Sequence, residues 1–164
     1  MKEYLYFGKI VSTHGIKGEI RIKSNFERKE EVLIPNFNIY IGKDYYPYQI
    51  ISYRHHKDFE MVTLEGINDI NEALKLKSLP VYIKRADLNI NKDDYVVEEL
   101  ILCTIMENNE KLGVIKEIIY NNGNDLLLVE GIKKFYIPLK GNYIEKVDLE
   151  NNIVYTKKAK DLIL

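Results

Sequence analysis

Residues 7–24 read FGKIVSTHGIKGEIRIKS, and their pattern describes two strands joined by a short connection. In the second strand Ile20 and Ile22 alternate with Glu19, Arg21 and Lys23. Alternation with a period of two is typical of a strand that buries one face and exposes the other. The stretch therefore predicts an antiparallel pair at the start of a β-rich fold.

The connection between these strands contains His14, Gly15, Lys17 and Gly18. Glycine adopts positive φ angles or lets another backbone approach closely, so Gly15 and Gly18 are expected to shape this loop. Three interpretations of His14 stay open: it fills the end of a barrel in a tight structural loop, it belongs to a binding loop, or it is a catalytic acid or base. Catalysis is the weakest of the three, because no second titratable group lies nearby in the sequence to serve as a partner for His14, although one could arrive through the fold.

The rest of the first half continues as short strands with one helix. Strands are predicted for YLYFGKIV, DYYPYQIISYR, FEMVTL and VYIK, with HHKD as a hairpin turn. The exception is NDINEALKLKSL from Asn68, which offers a capping residue, early acidic residues and apolar spacing for a short helix.

The second half is again rich in strands, after the polar stretch RADLNINKDD. Strands are predicted for CTIM, KLGVIKEIIY, DLLLVEG, KKFYIP and NIVYT, separated by residues that favour turns. We expect a mainly all-β protein of two small β-barrels. The predicted domains are residues 1–86 and 95–164, with a linker at about 87–94.

Composition and charge limit the classes of protein to which this chain can belong. The chain has 164 residues, a net charge of −1 and one cysteine, and it lacks an apolar run long enough to span a membrane. The N-terminus does not read as a signal peptide, so a cytoplasmic protein, with nothing that requires more than a monomer, is expected.

Residues 1–86 hold 14 Lys and Arg against 11 Asp and Glu, whereas residues 87–164 hold 10 against 14. The positive half permits contact with nucleic acid.

The residues do not predict an enzyme site. His55 and His56 would face opposite sides of a strand, and Cys103 sits in an apolar run without a basic neighbour. Neither a Walker loop nor a dinucleotide fingerprint occurs in the sequence. We therefore expect no metal, no cofactor and no catalytic residue.

Two longer segments carry a family resemblance. FGKIVSTHGIKGEIRIKS and SYRHHKDFEMVTLEGINDINEALKLKSLPVYIKRADL resemble the N-terminal domain of the ribosome maturation factor RimM family. KLGVIKEI, NNGNDLLLVEG, FYIP and VDLENNIV are similar to its PRC barrel. The resemblance covers nearly the whole chain, and it implies a translation-factor-like barrel with one short helix, followed by a PRC barrel.

What the resemblance implies is a non-catalytic binding protein. It would bind the maturing small ribosomal subunit through a ribosomal protein of the head, small-subunit protein nineteen, and assist head maturation and processing of the ribosomal RNA. Ribosomal head proteins are typically basic, so the acidic second half is the expected contact for that protein. Its expected anchors are Tyr95, Phe135, Tyr136 and Leu139.

The positive first half is the expected contact for ribosomal RNA or the ribosome, through His14, Lys17, Arg21 and Lys23. A protein-binding role for this barrel stays open, as do an RNA-processing enzyme using His14 and a PRC-type module in other RNA metabolism. The chain departs from the family pattern at Val96, where a second aromatic is usual, and at Leu102, which replaces a glycine.

Overall fold

The first unit, residues Lys2–Asp93, is a closed six-stranded barrel in the computed structural model, which describes residues 2–164. Around the barrel the strands follow the order β1-β2-β5-β4-β3-β6, and every neighbouring pair is antiparallel. The strands are β1 (Tyr4–His14), β2 (Glu19–Lys23), β3 (Asn38–Ile41), β4 (Tyr46–His56), β5 (Phe59–Leu64) and β6 (Pro80–Lys84).

Alternating apolar residues fill this barrel. Leu5, Phe7, Ile20 and Ile22 are at most 1% exposed, as the alternation in β1 and β2 requires. The predicted strand FEMVTL coincides with β5. The expected all-β class is confirmed for this unit.

Two short helices accompany the barrel, one more than expected. The predicted helix is α2 (Ile70–Leu74), and its capping residue is Asp69, whose carboxylate accepts the Glu72 N–H at 2.9 Å. The other helix, α1 (Lys29–Val32), has only four residues and packs by burying Val32. A single turn is too short to show a helical period, so the sequence pattern did not reveal it.

The predicted linker region begins as part of the first unit. Leu88 is buried, and the backbone of Asn89 is held at both ends by side chains that follow β2. Glu31 accepts the Asn89 N–H at 3.0 Å, and Arg28 donates to the Asn89 carbonyl at 3.2 Å. Residues up to Asn89 are thereby attached to the first barrel.

The second unit, residues Asp94–Leu164, contains one six-stranded sheet in the order β10-β9-β8-β7-β12-β11. Its only parallel pair among the described residues is β12 with β7. The strands are β7 (Thr104–Glu107), β8 (Glu110–Ile119), β9 (Leu126–Glu130), β10 (Lys134–Pro138), β11 (Ile144–Asp148) and β12 (Ile153–Thr156).

This sheet curls around a single core. Residues of the outermost strands, Phe135 and Ile137 of β10 and Ile144 and Val147 of β11, all pack in the same apolar cluster. In the part of the chain described, β10 and β11 do not exchange ladder hydrogen bonds, so the barrel is closed by side chains. Strand β11 was not predicted, because its half-buried pattern IEKVD does not alternate clearly.

A buried carboxylate fixes the end of the chain to this core. Glu107 Oε1 accepts the Thr156 hydroxyl at 3.0 Å and the Ala159 N–H at 2.8 Å, while Oε2 accepts the Lys160 N–H at 3.2 Å. Glu107 is 7% exposed. The short 3-10 helix Ala159–Leu162 therefore begins on a side chain of β7.

Candidate functional site

The loop between β1 and β2 is a rigid turn anchored on α2. Gly15 and Gly18 have φ angles of 76° and 84°, and the Gly18 N–H approaches the Gly15 carbonyl at 3.5 Å. A Cβ atom at Gly18 would lie 2.6 Å from the Asp69 carbonyl oxygen, so only glycine fits there. The Ile70 N–H also donates to the Ile16 carbonyl at 3.1 Å. The loop is thus held on both sides.

Anchoring of the loop leaves its tip available to a partner. Ile16 is 81% exposed, and Lys17 is exposed beside it. An apolar side chain and a cation stand side by side on a backbone that is held in place. This geometry is compatible with the structural-loop and with the binding-loop interpretation of the sequence.

His14 lies at the base of the loop on the surface. Its Nδ1 accepts a hydrogen bond from Arg21 Nη2 at 2.9 Å, because a guanidinium only donates. The bond requires a neutral His14 ring with its proton on Nε2. A guanidinium cannot accept a proton either, so this neighbour does not give His14 the partner that acid–base catalysis needs.

Arg21 is held between two hairpins. Its guanidinium lies 5.7 Å from the centre of the Phe59 ring. Arg21 and Arg54 are both register partners of Met61, on opposite sides of β5. The cross-strand pairing therefore brings the start of β2 next to the end of β4.

Arg54 is oriented by a bidentate ion pair. Its Nη2 and Nε lie 2.7 Å and 3.0 Å from the two carboxylate oxygens of Glu19. The hydrogen bonds from Arg54 lower the pKa of Glu19 against the opposing effect of burial, and the charges of Arg54 and Arg21 add to the lowering. This carboxylate therefore stays ionised and keeps Arg54 in place.

His56 lies on the same surface, and most of the charged groups around it are positive. Burial lowers the pKa of His56, and the positive charges of Arg54, Lys57 and Arg21 lower it further. Groups from both hairpins thus act on one imidazole. We call these cationic and imidazole side chains the basic surface: His14, Lys17, Arg21, Arg54, His56 and Lys57.

The sequence identified half of this surface. His14, Lys17 and Arg21 were predicted, and Lys23 is exposed two residues beyond Arg21 on the same face of β2. Arg54, His56 and Lys57 were not predicted as contacts, because Arg54 was assigned only to the strand DYYPYQIISYR and HHKD was interpreted only as a turn. The signal that identifies them is the register of β4 with β5, which places Arg54 opposite Met61.

In the second unit the four predicted contact residues differ in exposure. Tyr136 is 47% exposed, whereas Phe135 is 3% exposed and belongs to the core. Tyr95 and Leu139 are half-buried against that core. Neighbours on a strand face opposite ways, so Tyr136 presents its side chain to solvent and the Phe135 ring stabilises the barrel.

Tyr136 starts a row across three strands. It is the register partner of Leu128 on β9, which in turn pairs with Glu117 on β8. Leu128 is half-buried and Glu117 is exposed. We name Tyr136, Leu128 and Glu117 the edge surface, because β10 ends the hydrogen-bonded sheet.

The two departures from the family pattern have different surroundings. Val96 is fully buried, and its N–H donates to Glu99 Oε2 at 3.1 Å, so its side chain packs inside. Leu102 is 60% exposed and has a φ angle of 71°. A branched side chain in the left-handed region is strained, which explains why a glycine suits this position.

Within residues 2–164, no three His, Cys, Asp or Glu side chains lie close enough together to hold a metal ion. Cys103 is buried, and its thiol lies 3.6 Å from the Glu99 carbonyl oxygen. No helix in the described range is long and apolar enough to cross a membrane.

Comparison with known proteins identifies the two units. Residues 5–88 match the RimM N-terminal domain, and residues 97–162 match the RimM PRC barrel domain. A ribosome maturation factor RimM of Staphylococcus epidermidis is 34% identical over 157 residues, covering 90% of this chain and 91% of the relative. The RimM of Bacillus mycoides is 35% identical over 162 residues, covering 94% and 95%.

Among solved structures, the N-terminal domain of RimM from Thermus thermophilus is similar over 53% of this chain and 95% of its own, with 21% identity and a TM-score of 0.45. The family assignment depends on the sequence matches, which extend over both units. The chain belongs to the RimM family.

Proposed function

We propose that this chain is an assembly factor that binds the maturing small ribosomal subunit and assists head maturation and processing of its ribosomal RNA, without catalysis. Its family membership supplies the coarser role, in ribosome maturation. The observation that supports the finer proposal is the basic surface, on which two hairpins present cations.

The basic surface suits the phosphate backbone of RNA. Phosphate contacts need cations at reachable positions and do not read sequence. Arg21 and Arg54 are held by a ring and a carboxylate, so little side-chain entropy remains to be lost when RNA binds. Lys17 extends from the anchored loop as an additional positive charge.

The RNA contact is tested by replacing Lys17 with glutamate and measuring co-sedimentation with precursor small subunits over a range of salt concentrations. Lys17 is exposed, so the fold should be retained. Association should weaken, and the slope of log affinity against log salt should decrease by about one for the lost phosphate contact.

Lys43→Glu is the matched control for the RNA contact. Lys43 is exposed on the turn between β3 and β4, and β3 lies opposite β2 in the closed strand order. The proposal predicts normal association for this variant. Equal weakening in both variants would indicate a general charge effect and would remove the basic surface from the proposal.

The edge surface suits a basic ribosomal protein, for which we propose small-subunit protein nineteen. Tyr136 supplies an exposed aromatic anchor, and Glu117 supplies an acidic group in the same row. Aromatic residues at the centre of an interface often contribute most of its binding energy. Tyr95 and Leu139 remain part of the proposed contact through their exposed portions.

Tyr136→Ala tests the protein contact, with Tyr155→Ala as its control. Tyr155 is 36% exposed on β12, close to the other edge of the same sheet. Binding to the purified ribosomal protein should weaken by about tenfold or more in the first variant, and should be unchanged in the second. If the two tyrosines prove interchangeable, the edge surface is not the contact.

The non-catalytic part is tested by incubating the purified chain with precursor ribosomal RNA, with and without divalent metal. We expect no turnover. Cleavage that disappears on replacing His14 by alanine would instead support the RNA-processing enzyme.

We further propose that the chain acts in the cytoplasm as a monomer, with domains 1–86 and 95–164 and a linker at about 87–94.

A further inference from the structure

A groove on the first barrel lies away from the basic surface. It is lined by residues 46–49 of β4, residues 65–67 after β5 and Glu72 of α2, and its volume is about 460 Å³. Tyr48 precedes His56 by eight residues on β4, which at ~3.3 Å per residue corresponds to roughly 26 Å along the strand. The groove and the basic surface are therefore separate places on one barrel.

Two tyrosines form one wall of the groove. The ring centres of Tyr46 and Tyr48 lie 5.2 Å apart, with the rings tilted by 52°. Tyr46 is 64% exposed and Tyr48 is half-buried. Both rings therefore expose aromatic surface to solvent and are not part of the buried core of the barrel.

Two carboxylates complete the lining. Glu65 is exposed and Glu72 is half-buried. Their backbone N–H groups are bonded, to the Gln49 carbonyl at 2.9 Å and to Asp69 at 2.9 Å. Neither carboxylate forms an ion pair or a side-chain hydrogen bond within the described part of the chain. The groove is therefore anionic and not neutralised, although the surrounding half of the chain has a net positive charge.

We propose that this groove binds an arginine side chain on an extended segment of a basic protein. A guanidinium is planar and stacks on aromatic faces, while its N–H groups donate to carboxylates. Tyr46 and Tyr48 supply the stacking surface, and Glu65 and Glu72 supply the acceptors. A lysine ammonium matches this combination less well, because it has no flat face.

Charge complementarity also distinguishes the occupant from RNA. The phosphates of a nucleic acid would be repelled by Glu65 and Glu72, whereas the basic surface attracts them. The identity of the partner as a ribosomal protein rests on the proposed function. The preference of the groove for arginine does not, since it depends only on the groove's own residues.

The experiment titrates the full chain with an acetylated, amidated peptide of alternating glycine and arginine, and with the same peptide carrying citrulline in place of arginine. Citrulline keeps the shape and removes the charge. Calorimetry gives the affinity, and amide chemical shifts of the isotope-labelled chain give the position. We expect the arginine peptide to shift residues 46–49, 65–67 and 72, and to bind at least about tenfold more tightly than the citrulline peptide.

Variants then test the lining. Glu65→Gln combined with Glu72→Gln should weaken binding of the arginine peptide by about tenfold, and Tyr46→Ala should weaken it severalfold. The control is Glu27→Gln combined with Glu30→Gln, which removes two exposed carboxylates elsewhere on the barrel. Equal loss in the control, equal binding of the citrulline peptide, or shifts outside the groove would overturn the inference. Binding of a short RNA in the groove would overturn it too.

The failure of this inference and the failure of the proposed function are distinguishable. If subunits co-sediment normally but the arginine peptide does not bind in the groove, only the groove assignment is wrong. If the peptide binds in the groove but the chain does not associate with precursor subunits, the proposed function is wrong and the preference for arginine stands.

Discussion

Replacing Gly18 by alanine should detach the β1–β2 loop from α2 and destabilise the first barrel. Two effects add at this position. The φ angle of 84° places an L-residue in the left-handed region, which costs about 1–2 kcal/mol. The new Cβ would also lie 2.6 Å from the Asp69 carbonyl oxygen and 3.0 Å from its carbon. Because these are backbone atoms, relief requires moving the helix, and overpacking of this kind costs about 1–3 kcal/mol.

Gly15→Ala is the matched control, because it separates the two effects. Gly15 has a φ angle of 76°, but a Cβ there would meet nothing within 4 Å. Only the conformational cost of about 1–2 kcal/mol applies. The two variants should therefore differ by about 1–3 kcal/mol in the free energy of unfolding, the Gly18 variant being the less stable.

Hydrogen exchange during a urea titration measures this difference within one unit. A chain with two units does not guarantee two-state unfolding, so a single global transition would be difficult to interpret. Amides of β5 report on the first unit, and amides of β9 in the second unit serve as an internal reference that should not change. Equal destabilisation by the two alanines would refute the reasoning, since it would mean that Asp69 does not restrict Gly18.

Three further predictions concern single side chains. Glu107→Ala should destabilise the second unit by about 3 kcal/mol in urea unfolding, because the buried Ala159 N–H and Thr156 hydroxyl lose their acceptor; a change below about 1 kcal/mol would contradict this. Burial, with the hydrogen bond to Glu60, raises the pKa of Tyr53 from 10.0 to about 12. Because the folded-state pKa is the higher one, the associated stability is present below pH 10.0 and disappears as the pH rises through about 12. In a carbon-13 NMR titration, Glu60→Gln should lower the Tyr53 pKa, and an unchanged pKa would exclude Glu60 as a cause. Leu102→Gly should raise the unfolding free energy of the second unit by about 0.5–1 kcal/mol by relieving its left-handed backbone, and a lower free energy would show that the leucine contributes more by packing.

The alternation of apolar and polar residues was sufficient to predict strands that bury every second side chain. Strand β5 has the predicted bounds, and β2 was recognised from Ile20 and Ile22 alone. Pattern failed where burial does not alternate, as in β11, or where an element is a single turn, as in α1. The alternation argument also applies to Phe135 and Tyr136, of which only one could lie in the core.

The candidate site was predictable only within one hairpin. The glycines of the first loop indicated its shape, and Lys17 and Arg21 followed from their place in the sequence. Arg54 is 33 positions further along the chain than Arg21, and it joins the same surface because β5 pairs with both β2 and β4. Register between strands depends on the assembled barrel, so a local pattern does not contain it.

One small barrel presents two surfaces of opposite charge, because β4 extends from one surface to the other. Strand β4 starts at the anionic groove with Tyr46 and ends at the basic surface with His56. Glu19 holds Arg54 at one end, whereas Glu65 and Glu72 at the other end form no ion pair with any residue of 2–164. If the chain binds RNA and a basic protein, as we propose, separate contacts of moderate strength allow it to release both. Two weak contacts in one chain strengthen each other through effective concentration, yet either can dissociate first.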